Sequence, residues 1–192
     1  HPLTCLRRYG APALRTEYSH EIGLRILIGF AQRVAGKHGI SFRPLLSHST
    51  RHYFRVYLLG ERGATKAGRA MKTLGYISHC FECGRRQITR GLLPALPHRC
   101  ECGGKLLHAG PLWVGLLGAS EFISKVLDEI ARRGFRLGYR EVRLLSTLKS
   151  EAGEPPTFYE AGTFARTTRR DPPKMEKILE EVKLKWTRKA NL

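Results

Sequence analysis

Four of the five cysteines carry the most specific chemical signal in the chain. They form two pairs, Cys80-Phe-Glu-Cys83-Gly84 and Cys100-Glu-Cys102-Gly103-Gly104, with sixteen residues between Cys83 and Cys100. Thiolate pairs at this separation can fold back around one tetrahedral Zn²⁺. A glycine after each pair permits the tight turn that aims backbone N–H groups at sulfur. The first pair is C-x-x-C and the second the tighter C-x-C, so His98 stands as an alternative to Cys100 for the fourth ligand. A redox or disulfide pair and unliganded thiols are the competing readings. A site whose positions are all filled by protein is structural, because no position is left for water. A zinc hydrolase or deaminase needs an open position and an H-x-E motif, which the sequence lacks. Cys5 stands alone and reads as a small hydrophobe.

The second signal is charge. Thirty-four Lys and Arg oppose 16 Asp and Glu, a net charge of +18, and 23 of the cations are Arg. Arginine's planar fork pairs with phosphate through two parallel hydrogen bonds, so a polyanion is the expected partner. Acidic lipid and compositional bias are weaker explanations of the excess. Ser47-His-Ser-Thr-Arg51-His52-Tyr53-Phe54-Arg55 gathers cations, hydroxyls and rings around one turn. In a strand, His52, Phe54 and Val56 share one face, and Tyr53, Arg55 and Tyr57 the other. Arg55 between two tyrosines fits a nucleic-acid surface that pairs phosphate beside stacking rings. A half-buried hairpin with a solvated Arg fits equally. Glu21, after His20, reads as a helix-start carboxylate, and Asp171 before Pro172-Pro173-Lys174 as a helix N-cap. No dinucleotide fingerprint, P-loop, nucleophile elbow or H-E-x-x-H occurs.

These residues need an α+β frame. Ile22, Ile26, Phe30 and Val34 recur at helical spacing from His20 to Gly36 or Gly39. Ile40–Leu46 and His52–Leu58 read as a hairpin around polar residues 47–51. A helix over Arg62–Leu74, strands at Tyr76–Ser78 and Pro111–Gly115, and helices over Glu121–Arg133 and Arg140–Ser150 follow. The expected fold is a small helix-on-sheet sandwich with an inserted zinc ribbon at 78–108. Beyond Pro156, Tyr159–Ala165 and Pro173–Leu184 read as two helices of a truncated winged-helix-like unit. The longest apolar run, Ala109–Ala119, falls short of the roughly 20 residues that span a bilayer, and the start has no secretory order. A cytoplasmic protein with reduced thiols is expected.

Cys5-Leu-Arg-Arg-Tyr-Gly-Ala11, His20-Glu-Ile-Gly-Leu-Arg25, His48-Ser-Thr-Arg-His-Tyr-Phe-Arg-Val-Tyr57, Leu74-Gly-Tyr76 and Gly110-Pro-Leu-Trp113 together resemble the tRNA (guanine-26-N2)-dimethyltransferase family, particularly its archaeal members. The resemblance runs from Cys5 to Lys183. It implies methyl transfer from S-adenosylmethionine to the exocyclic N2 of a tRNA guanine, with a cysteine-rich zinc insertion. The family's cofactor domain and acidic catalytic loop lie upstream of the matched region. The resemblance therefore implies three parts: residues 1–19 as a linker from that domain, 20–135 as a tRNA-recognition domain, and 136–192 as the winged-helix-like unit. The cofactor would be held by the missing domain or by a separate methyltransferase polypeptide. Arg7, Arg8, Arg25, Arg51, His52, Tyr53 and Arg55 are the expected tRNA contacts. A zinc-ribbon and winged-helix DNA-binding regulator is the rival reading.

Overall fold

The computed structural model describes residues 2–50, 53–136, 138–160, 162 and 174. Along the chain run α1 (Pro2–Tyr9), α2 (Ser19–Gly36), β1 (Ile40–Ser49), β2 (Phe54–Arg62), α3 (Ala64–Met71), β3 (Leu74–Cys80), β4 (Arg86–Arg90), β5 (Leu106–Trp113), α4 (Ser120–Arg133) and α5 (Gly138–Glu151). The fold class is α+β. The layering differs from a single sandwich: β1 and β2 form one antiparallel sheet, and β4-β3-β5 a second.

Helix α2 lies between the two sheets, which explains why its burial exceeds one stripe. Ile22 and Ile26 pack with Ile77, Ala109 and Leu112 of the three-stranded sheet. Ile28, off the expected stripe, packs with Leu74 and Trp113 beside Val56 and Leu58 of the hairpin. Val34, on the expected stripe, is exposed. Two residues set the close approach. A Cβ at Gly29 would lie 3.0 Å from the Leu112 Cα and the Trp113 N, so only glycine lets α2 meet β5 at this distance. Gln32 docks the other side: its Nε2 donates to Ile40 O at 3.2 Å, and its Oε1 accepts from Phe42 N at 2.6 Å.

Residues 1–19, expected to act as a linker, contain α1 and send Ala11, Leu14 and Tyr18 into the core around α2. Strand β5 starts earlier than its apolar tail announces, because Leu106 N is already bonded to His98 O where the cysteine loop closes. Strand β4 lacks an alternating apolar pattern and escaped the sequence reading. Helices α4 and α5 form a pair around Ile123, Leu145 and Ala152, joined to the hairpin through Leu46. Gly134, at φ 60°, ends α4 as a left-handed cap. Among the described residues no helix is long and apolar enough to cross a membrane. The expected helices of 159–165 and 173–184 lie outside the described residues, apart from Tyr159, Glu160, Gly162 and Lys174.

Candidate functional site

The three-stranded sheet delivers the cysteines. Strand β3 ends on Cys80, the turn carrying Cys83 leads into β4, and the second turn carries Cys100 and Cys102 just before β5. Gly84 (φ 73°) and Gly103 (φ 88°) supply the left-handed positions that close these turns. Gly84 N donates to Cys80 O across four residues and Gly103 N to Cys100 O across three, both at 2.9 Å, so the C-x-C turn closes one residue tighter than the C-x-x-C turn. All four Sγ atoms lie within 4.8 Å of one another. Cys80 and Cys102 are 3.6 Å apart, as are Cys83 and Cys100. Tetrahedral Zn–S bonds of about 2.3 Å require sulfurs roughly 3.8 Å apart, so the cluster fits this ion. His98 is exposed and outside the cluster. Burial raises the Cys80 thiol, but the N–H groups of Cys83 and Glu82 and the neighbouring thiols outweigh it and leave the thiol at about 7. Burial and the adjacent sulfurs push Cys83 up to about 12. Thiols packed this closely cannot all ionise unless a cation joins them. An ion pair between Arg85 and Glu101 ties one turn to the other at the surface.

The hairpin carries the second constellation. Arg55 lies opposite His48, its guanidinium carbon 5.0 Å from the Tyr53 ring centroid. The His48 ring meets Tyr53 edge-on at 6.1 Å. Tyr53 and Tyr57 are 47% and 42% exposed, so an Arg–Tyr platform faces solvent on β2. Burial, then Arg55, holds the His48 imidazole below its ordinary pKa. Phe54 turns the other way, edge-on to His20 at 6.1 Å and over Gly23 of α2. Arg7 and Arg8 are exposed on the last turn of α1, with no ion pair among the described residues. Arg51 and His52 lie outside the described residues.

Arg25 is a correction. Its side chain is 3% exposed and pairs with Glu21 at 2.7 Å. Its Nη1 donates to Trp113 O at 3.0 Å and to Gly115 O at 2.7 Å. A guanidinium committed to these acceptors cannot reach a phosphate; it fastens α2 to the end of β5. Sequence reading also missed a second buried arginine. Arg86 pairs with Glu17 and donates to Phe158 O. It lies between the rings of Tyr18 and Tyr159, 4.3 and 3.9 Å from their centroids. Tyr18 OH and His79 Nδ1 share a 2.8 Å hydrogen bond beside it. These residues come from three distant segments, so no local pattern announced them.

The described residues thus make a basic, antiparallel α+β protein with a four-cysteine cluster that could hold a metal ion and an exposed Arg–Tyr platform. The family model for N2,N2-dimethylguanosine tRNA methyltransferase matches residues 1–187. The chain is 38% identical over 175 residues to a tRNA (guanine(26)-N(2))-dimethyltransferase of Methanobrevibacter smithii, covering 91% of this chain and 45% of that protein. It is 35% identical over 152 residues to a tRNA (guanine(26)-N(2)/guanine(27)-N(2))-dimethyltransferase of Aquifex aeolicus, 79% of this chain and 38% of that one. Trm1 from Pyrococcus horikoshii, solved with S-adenosyl-L-methionine, superposes with a TM-score of 0.85 at 30% identity, over 96% of this chain and 47% of that structure. The chain belongs to the N2,N2-dimethylguanosine tRNA methyltransferase family, and it spans about 45% of the length of the first of these relatives.

Proposed function

We propose that the chain is the tRNA-recognition part of an S-adenosylmethionine-dependent enzyme that dimethylates N2 of guanine 26 in tRNA. The observation that carries this reading is the exposed Arg55–Tyr53 platform in a member of this family with net charge +18. Both sheets of the described residues are antiparallel, unlike the parallel sheet of a doubly wound cofactor domain. The methyl donor is therefore assigned to the remaining half of the enzyme, on the same or a separate polypeptide. Cys80, Cys83, Cys100 and Cys102 hold a structural Zn²⁺ that locks the two turns in register. Arg7, Arg8, Arg51 and Arg55 take the phosphate backbone, with His52 and Tyr53 beside them, while the guanine is extruded toward the catalytic half. Chemistry on a base atom inside folded RNA requires removing that base from its stack. Such a role places the protein in the cytoplasm.

Arg55→Ala tests this reading. Affinity for folded tRNA should fall, and the slope of log K against log salt should shrink by about 0.7–0.9, the share of one phosphate, with thermal unfolding unchanged. Unchanged tRNA affinity removes Arg55 from the interface. Tighter binding of duplex DNA than tRNA by the unaltered chain would favour the DNA-binding regulator instead.

A further inference from the structure

We propose that the cavity between the first cysteine turn and the start of α2 receives an unstacked nucleobase, held against Phe81. The cavity measures about 450 Å³, within the size range of small-molecule sites. Its walls include Arg15, Ser19, His79, Phe81, Arg86 and Tyr159. Phe81 is 49% exposed although it sits inside the Cys80–Cys83 turn. Its ring is steadied at the back by His79, edge-on at 4.5 Å, and His79 is anchored by Tyr18. The open side of a ring held in this way is a stacking surface that accepts any base.

Charge decides between base and phosphate. Two arginines, Arg15 and Arg86, line the cavity together with two glutamates, Glu17 and Glu160. Arg86 is already paired with Glu17 and buried. A cavity with balanced charge, aromatic walls and polar rims suits a neutral, planar, hydrogen-bonding ring better than an anion. Ser19, in the cavity wall, begins α2, and the next residue, His20, touches Phe54, which neighbours Arg55.

The inference rests on the tRNA reading for the source of the base, and the test separates the two. The full chain and its Phe81→Leu and Phe81→Trp variants are titrated with folded tRNA across salt, with zinc content measured in each. Phe81→Leu should bind about five- to 150-fold more weakly, the range for losing one base–aromatic stack, with the salt slope unchanged. Phe81→Trp should retain affinity, which a purely structural role for Phe81 would not produce. In parallel, backbone amide spectra of the unaltered chain are recorded with AMP, GMP, CMP and UMP. Shifts at Ser19, Phe81 and Gly84 with the mononucleotides mean that the cavity takes a free base. The same shifts with tRNA alone mean that it takes one presented by the polymer. Wild-type affinity in Phe81→Leu together with no shift in either titration overturns the proposal while leaving tRNA recognition standing. If the chain does not prefer tRNA to duplex DNA, the tRNA reading fails, and the mononucleotide spectra still decide the cavity.

Discussion

Replacing Arg25 with Ala separates architecture from recognition, because the family-like run His20–Arg25 looks like an RNA contact in sequence and behaves as a fastener in the fold. The substitution removes charge-assisted hydrogen bonds to Glu21, Trp113 O and Gly115 O, each worth about 1.5–3 kcal/mol. These bonds share one guanidinium, so their sum overstates the loss. The larger cost is what remains: Trp113 O loses its guanidinium donor beside a buried side chain, and Glu21 is left, among the described residues, with the Thr157 N donor at 2.9 Å. Breaking a buried pair from one side typically costs about 3–5 kcal/mol. At roughly 2–4 °C per kcal/mol for a chain of this size, Tm should fall by on the order of 10 °C. Arg25→Lys should recover only part of this, since an ammonium cannot reproduce the planar fork. Thermal unfolding by circular dichroism reads the effect, and tRNA titration below the new Tm reads recognition, which should keep its affinity and salt slope. An unchanged Tm with weaker, less salt-dependent tRNA binding would refute the assignment and return Arg25 to the interface.

Cys100→Ser should abolish stoichiometric zinc binding and strip amide-exchange protection from residues 80–106, whereas Cys5→Ser should leave zinc content unchanged; metal analysis and hydrogen exchange decide both. The His48 imidazole should titrate below its ordinary 6.5 because of burial and Arg55. Its contribution to stability is therefore complete above that value and is lost as pH falls from there through the lower folded value, the unfolded state binding the proton more readily. In Arg55→Ala the midpoint should move back up, as read by proton NMR of the ring. Gly29→Ala should destabilise by about 1–3 kcal/mol in denaturant unfolding, since the added Cβ would meet the Leu112 and Trp113 backbone at 3.0 Å.

How much of this was legible beforehand varied with how local the cause was. The two cysteine turns were readable because their chemistry depends on spacing along the chain and on glycines at fixed offsets. The hairpin and its Arg–Tyr face followed from alternation, and the stop of α4 from Gly134. Which cysteine spacing closed on which was undetermined by the C-x-C pair; the sheet resolved it by pairing β3 with both β4 and β5, which brings Cys80 to Cys102 and Cys83 to Cys100.

Composition and spacing alone determined the basic character, the two cysteine pairs with the fourth ligand open between Cys100 and His98, and the presence of most elements, since charge, ligand spacing and backbone periodicity are carried by neighbouring residues; the fold put Cys100 in the cluster. The tertiary structure decided which arginines are free. Arg25 and Arg86 read in sequence like the other cations, yet each is buried against acceptors 60 or more positions away (Arg25 on Trp113, Arg86 on Glu17). Contacts at that separation depend on how α2 is wedged between two sheets, and no local pattern encodes that geometry.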